Sequence, residues 1–434
     1  MAATLENISQ LERRLNITLP AVEIDGEVQS RLKRLARSVK MHGFRPGKVP
    51  LKVVAQQYEG QVRREVLGDA LQKSFGDAIR EQNLKVAGYP RFEPMTAAGD
   101  VSQFEFSATF EIYPEIAVGD LSKAAITRPM ISIGEAEVDR TLEIMRKQRA
   151  NFEPVARAAA LGDKATLDFT GKIDGQAFDG GKGEDFGVIL GEGRLLKDFE
   201  NHVVGLEVGG ARTFELRFPE DYHGKELAGK TATFEVKLKQ IAEPRLPPID
   251  AEFAKSLGVA DGNLDTMRGE IRENLERETK RRIRARLKDQ VMQALIDATR
   301  IEVPKSLVEL EIERMSAAAR QDLATRGIKP GAMPISREEL APQAQRRVTL
   351  GLILAEVVKA NGLQAKPEQV RAVVEEQAQT YEQPEQWVKW FYQAPERLRD
   401  VESIVLEDNV VAWVLATAKI EDKPIGFDEL MGNA

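Results

Sequence analysis

Apolar and polar residues alternate along "RRLNITLP", Arg13 to Pro20, with the two-residue period of a half-buried strand. The spacing turns helical from about Asp25 to Met41 and again from about Leu51 to Glu81, where Val54, Tyr58, Val62, Val66 and Leu67 share a face. "FEFSATFEIYP" then resumes strict alternation and stops at Pro114, so residues 1–113 read as a small α+β unit. Residues 114–154 form a connector, with an extended "ITRPMISI" and a helix from about Glu135 to Asn151.

Residues 155–245 change to short strands and glycine-rich turns, among them "KATLDFTGKI", "ARTFELRFP" and "ATFEVKLKQI". "PRLPPID", Pro244 to Asp250, ends the β pattern because proline cannot donate to a ladder. Residues 246–434 are helical in pattern. Met267, Ile271, Leu275, Ile283, Leu287, Val291 and Leu295 form one stripe between Leu264 and Arg300. Glu273–Arg277, Glu276–Lys280 and Glu278–Arg282 stand as i,i+4 pairs, so "KRRIRAR" reads as a solvated helix face. Further helices begin near Lys305, Arg337, Pro367 and Pro395, and proline suits a first helical turn. The expected fold is multidomain α+β: an N-terminal α+β domain, a connector packing with the C-terminal part, a β-rich middle domain and an all-α C-terminal domain.

Composition narrows the chemistry. The 434 residues exceed a single core, and 42% hydrophobic with 30% charged residues is a soluble, globular balance. The absence of cysteine excludes disulfides and thiol catalysis and suits a reducing compartment. With three histidines, His42, His202 and His223, a histidine-built metal site is not expected, nor is a cofactor. The opening "MAATLENISQLERRLNITLP" lacks the basic-then-apolar layout of a secretory leader. "VTLGLILAEVV" is too short to span a bilayer, which takes about 20 residues. A cytoplasmic protein without a membrane partner is expected.

The net charge of −7 hides an asymmetry. Every charged residue from Arg31 to Lys52 is basic: Arg31, Lys33, Arg34, Arg37, Lys40, Arg45, Lys48 and Lys52. A segment free of acids in an acidic chain points to an anionic partner. Inside it lies "HGFRPGKVP", His42 to Pro50. Pro46 fixes its own φ and restricts Arg45, while Gly43 and Gly47 permit reversals, so Phe44 and Arg45 should stand at the tip of a stiff loop.

"GKELAGKT", Gly224 to Thr231, satisfies the phosphate-loop pattern formally. That chemistry needs a helix to open at the lysine so that its end amides face phosphate. "TATFEVKLKQI" alternates as a strand instead, and no nucleotide is expected.

"LDFTGKIDGQAFDGG" reads as a strand, an Asp174-Gly175 hairpin turn and a returning strand. "FGVILGEGRLLKDFENHVVGLEVGG" adds a strand, a turn, an amphipathic helix and another turn. In this order the residues resemble the FKBP-type peptidyl-prolyl isomerases. The resemblance places binding-pocket positions on Phe169, Phe178, Asp179, Phe186, Leu195, Leu196, Phe199, Tyr222 and Phe234. Phe199 stands where that family often has tryptophan, keeping an apolar floor without an indole N–H. It implies X–Pro isomerisation in an apolar pocket, with no nucleophile or metal, and with Asp179 orienting substrate or bracing the pocket.

Together with "GFRPGKVP", "VLGDAL", "ITRPMISI" and "FDELM", the whole chain is similar to the bacterial trigger factors. That implies an ATP-independent, ribosome-associated chaperone acting on nascent and unfolded polypeptides, with a possible homodimer when free. Gly43, Phe44, Arg45, Pro46, Gly47 and Lys48 would dock on the large ribosomal subunit near the tunnel exit. Phe44 would be the apolar contact, and Arg45 would pair with acidic protein or rRNA phosphate. Pro46 replaces a lysine common in the family, trading a cation for rigidity. A free-standing FKBP-type isomerase or holdase would leave the basic segment and the helical half unexplained. A nucleic-acid-binding helical protein would leave the ordered pocket residues unexplained.

Overall fold

The computed structural model describes residues 2–42, 44, 48–95, 103–222, 224, 226–328, 335–379, 381 and 383–432, apart from the side chains of Ala2, Ala3 and Asp179. They form two compact units, Met1–Arg128 with Ala285–Lys423 and Pro129–Arg284 with Pro424–Ala434.

The first unit opens with β1 (Ala2–Asn7), β2 (Glu12–Pro20), α1 (Ala21–Ser38), α2 (Leu51–Glu81), β3 (Val86–Pro94) and β4 (Gln103–Ile112). The strands form an antiparallel sheet in the order β1-β2-β4-β3. Leu15, Ile17 and Leu19 point inward, with Leu15 opposite Ala108 and Ile17 opposite Phe106. Ile24, Val28 and Leu32 of α1 and Val54, Val62 and Val66 of α2 close the core over that face. Helix α1 starts and stops earlier than the expected Asp25 to Met41. Pro20 ends the strand in an extended conformation, so the helix begins at once, and Val39 is extended again.

After β5 (Ala125–Met130), the second unit begins with α3 (Glu135–Gln148), β6 (Asn151–Pro154), β7 (Lys164–Ile173), β8 (Gln176–Ile189), α4 (Lys197–Val203), β9 (Ala211–Arg217) and β10 (Thr231–Arg245). The α3 helix stops short of the expected Asn151. Pro154 holds Glu153 extended, and the segment pairs with the end of β10 as a strand. Pro244 lies within β10, opposite Phe152 near the end of that ladder, where a missing donor costs least. The sheet runs β6-β10-β7-β8, with β9 also on β10. Asp174 and Gly175 turn the β7–β8 hairpin at φ of 50° and 79°, the left-handed pair that a two-residue turn requires. Thr231, the end of the formal phosphate-loop match, opens β10 rather than a helix.

Asp250 caps the short α5 (Ala251–Ser256), accepting the N–H of Phe253 at 2.9 Å. Helix α6 (Leu264–Ala298) places Met267, Ile271 and Leu275 against Val138 and Leu142 of α3 and against Phe253. Glu278 and Arg282 close their i,i+4 pair at 2.9 Å.

In the first unit, the end of α6 is followed by α7 (Lys305–Thr325), α8 (Arg337–Asn361), α9 (Pro367–Ala378), α10 (Pro384–Tyr392), α11 (Pro395–Thr417) and β11 (Lys419–Pro424); α12 (Phe427–Met431) lies in the second unit. Val291, Leu295, Ile353, Val357, Val410 and Val414 form one core, and Val370, Val374, Val401 and Val405 another. One face of the apolar run of α8, with Ile353 and Val357 at its centre, therefore packs into protein. Among the described residues no helix is long and apolar enough to cross a membrane.

Candidate functional site

The β7, β9 and β10 strands and α4 bring a set of phenylalanines together in the second unit. Phe234 of β10 lies opposite Gly171 of β7 and Phe214 of β9 in the ladders. Glycine is required at 171, because a Cβ there would sit 2.5 Å from the Phe234 ring. Gly183 of β8 makes the same allowance for Phe169, its cross-strand partner. Two missing side chains thus leave room for two rings close to the sheet backbone.

Phe199 projects from α4 onto this surface and is 4% exposed. Its ring meets Phe234 at 5.3 Å, Phe214 at 5.4 Å and Phe169 at 5.9 Å, all edge to face. Phe169 meets Phe186 at 5.6 Å, and Phe178 meets Phe234 at 6.1 Å. Edge-to-face contacts set a positive ring edge against a negative ring face, so the cluster is held in a defined geometry. Leu195, Leu196 and Tyr222 pack half-buried against it. The side chain of Asp179 lies outside the described residues. Eight of the nine expected residues therefore converge in one cluster.

Two members were missed by sequence reading. Phe218 lies 4.8 Å from Tyr222 and 6.0 Å from Phe178, and Phe214 stacks on His202 at 4.2 Å. The alternation Phe214, Leu216, Phe218 in "ARTFELRFP" was the available signal. Such a surface is chemically suited to stripping water from an amide. A separate cavity of about 400 Å³, lined by Phe152, Leu161, Leu190 and Gly191 among others, lies away from these rings. Among the described residues no group of three or more histidine, aspartate or glutamate side chains could hold a metal ion.

In the first unit, Phe44 is exposed and Lys48 is exposed, while Gly43, Arg45, Pro46 and Gly47 lie outside the described residues. The basic segment is free of acids in sequence but not in space. Arg31 reaches Glu27 at 3.0 Å and Asp69 at 2.7 Å, and Arg34 reaches Glu27 at 2.9 Å. The hydrogen bond to Asp69, more than that to Glu27, raises the Arg31 guanidinium above its ordinary pKa. Lys33, Arg37, Lys40, Lys48 and Lys52 remain exposed. On the helical side, Tyr381, Trp390 and Tyr392 are exposed, whereas Trp387, Phe391 and Trp413 are half-buried against core clusters.

The antiparallel sheet, the short helix beneath it and the aromatic cluster define an isomerase domain: residues 155–239 match the model of FKBP-type peptidyl-prolyl cis-trans isomerases. Residues 1–145 match the model of bacterial trigger factor protein, and residues 263–416 that of its C-terminus. The chain is 57% identical over 435 residues to the trigger factor of Nitrosospira multiformis, covering 100% of both chains. It is 54% identical over 434 residues to that of Aromatoleum aromaticum, again covering 100% of both. A solved structure concerned with promiscuous substrate recognition in folding and assembly activities of the trigger factor chaperone aligns over 96% of this chain and 100% of its own, at 17% identity and a TM-score of 0.48. The chain belongs to the trigger factor family. It is a ribosome-associated chaperone with an FKBP-type prolyl isomerase domain.

Proposed function

We propose that Phe169, Phe178, Asp179, Phe186, Leu195, Leu196, Phe199, Tyr222 and Phe234 form the isomerase pocket, with Phe199 as its floor. The buried Phe199 ring, met by three other phenylalanines, is the observation that supports this most directly. Rotation about a peptide bond meets a barrier of about 18–20 kcal/mol, set by amide resonance. Aromatic walls exclude water from the carbonyl and favour the twisted amide, which is less polar than the planar one. Uncatalysed isomerisation takes about 10–100 s, so acceleration is readable on a proline-limited refolding protein. Phe199→Ala should lose most of the rate while Phe199→Leu, which keeps bulk, retains the fold. A folded Phe199→Ala protein with full activity would move the pocket elsewhere.

The Gly43–Lys48 loop is the proposed ribosome anchor, near the tunnel exit of the large subunit. Phe44 supplies apolar contact and Arg45 a partner for acidic protein or rRNA phosphate. The exposure of Phe44 beside exposed lysines supports this reading. Residues 1–113 then anchor, 114–154 connect, 155–245 isomerise and 246–434 cradle nascent and unfolded chains, in the cytoplasm and without nucleotide. Free protein associates as a homodimer. Replacing Phe44 and Arg45 by alanine should abolish co-sedimentation with ribosomes at unchanged isomerase activity. Wild-type pelleting by the double variant would place the anchor elsewhere.

A further inference from the structure

We propose that Glu200 is a positioning residue of the isomerase site, setting the Gly191–Leu196 turn and thereby the preference for the residue before proline. The inference rests on the pocket reading above, which counts the half-buried Leu195 and Leu196 among the pocket residues and takes them here as its rim.

Glu200 follows Phe199 on α4 and is 4% exposed, which is rare for a carboxylate. One carboxylate oxygen accepts the N–H of Gly191 at 2.9 Å, and the other accepts that of Leu195 at 3.4 Å. Its own backbone N–H donates to the carbonyl of Leu196 at 3.1 Å. A single residue thus holds both ends of the turn. Among the described residues no lysine or arginine pairs with it, so backbone N–H groups are what replaces its lost water.

Besides these bonds the turn has the Glu192 N–H donating to the carbonyl of Ile189 at 3.4 Å and the packing of its two leucines. Gly191 and Gly193 are at φ of 96° and 71°, and Glu192, Gly193 and Arg194 are exposed. Its outer side faces the cavity of about 400 Å³, which Gly191 and Glu192 line. Leu161 neighbours Gly191 on that side and the leucines rest on the aromatic cluster, so the carboxylate adds the hydrogen bonds that fix where they sit. The longer bond, to Leu195, is the one a weaker acceptor gives up first. Glutamine can offer its single oxygen to Gly191, but then sets an amide N–H against the N–H of Leu195.

The test uses the full-length protein and short peptides carrying leucine or alanine before proline. In Glu200→Gln, kcat/KM for the leucine peptide should fall about tenfold, the scale of one lost charge-assisted hydrogen bond. The alanine peptide makes little contact with the rim and should change by less than about threefold. A purely structural loss would lower both equally, so the ratio is the readout. Leu195→Ala should abolish the same preference, and Glu200→Gln added to it should change the ratio no further, because the two act through one contact. Should Glu200→Gln not fold, Glu200→Asp, too short to reach both N–H groups, takes its place. A folded variant with an unchanged ratio, or with both peptides slowed alike, overturns the proposal. If instead Phe199→Ala keeps full activity on both peptides, it is the pocket reading that fails.

Discussion

The carboxylate of Glu111 accepts the backbone N–H of Ser306 at 2.7 Å and that of Lys305 at 3.1 Å, and Ser306 Oγ donates to the carbonyl of Ala87 at 2.9 Å. Helix α7 begins after Pro304, which offers no side-chain cap, so strand β4 supplies the acceptor for its first turn. The sheet edge and the helix are pinned by three hydrogen bonds. Glu111→Gln leaves one N–H without its charged acceptor. Hydrogen exchange at Lys305 and Ser306 should speed up about tenfold, as expected for one such bond. Exchange in α2 should not change.

Gly171→Ala tests the room reserved for the Phe234 ring. A Cβ there sits 2.5 Å from that ring and 3.0 Å from two more of its atoms, so the phenylalanine must shift. Overpacking of this kind costs about 1–3 kcal/mol. The variant should lose isomerase activity and lower the thermal midpoint of the middle domain. Gly175→Ala is a control for the pocket effect, because open space surrounds that position, although its φ of 79° still strains the turn.

Asp168, Asp185 and Lys239 form an ion triad on the isomerase domain, with Lys239 Nζ at 2.9 Å from Asp168 and 2.7 Å from Asp185. The Asp168 carboxyl is held below the usual carboxylate range, first by the backbone N–H of Asp185 and then by Lys239. A lowered folded-state pKa means stabilisation that is complete above the unfolded value of about 3.9 and lost as the pH falls through the folded one. From the unfolded value up to neutral pH the contribution is constant, so stability should not vary with pH through Asp168 in that range. Lys239→Gln should raise the Asp168 pKa in an NMR titration only part of the way, since the Asp185 N–H remains. A full return to the unfolded value would show that the lysine dominates.

Trp390 on α10 is 49% exposed and lies under the Arg397 guanidinium, 3.5 Å from its ring centroid. Exposed aromatic surface on a chaperone is available to clients. Trp390→Ala should weaken binding of an unfolded client a few-fold, on the order of 1 kcal/mol for one contact among many. Trp413→Ala should mainly destabilise, because that ring packs against the α6, α8 and α11 core. Equal loss of client binding in both variants, without unfolding, would count against a role for the exposed face.

Much of the architecture is legible in the sequence. Helix α2 begins and ends where its apolar spacing does, and the Asp174-Gly175 turn lies where the dipeptide places it. The ordered aromatic pattern between Phe169 and Phe234 picks out residues that the fold gathers into one cluster. Short elements were harder to see. β6 is four residues long, begins at Asn151 where the helix reading ended, and is marked as a strand only by its pairing with β10. α10 is nine residues long and opens on Pro384, where no helix start is read from the sequence.

Periodicity, turn chemistry and charge order are properties of residues within a few positions of one another, so the sequence by itself determined many of the strands, the long helices and the residue types of the aromatic cluster. The tertiary structure alone decided which groups meet across long stretches of chain. Glu111 and Ser306 are 195 residues apart, and Arg31 finds Asp69 on another helix, turning an acid-free segment into a partly neutralised one. Phe214 and Phe218 join the aromatic cluster because β9 pairs with β10, and Gly171 and Gly183 matter because of the rings opposite them. Glu200 carries no local signal at all. A carboxylate on a short helix is ordinarily solvated, and only the turn folded over it made this one buried and gave it two N–H groups to hold.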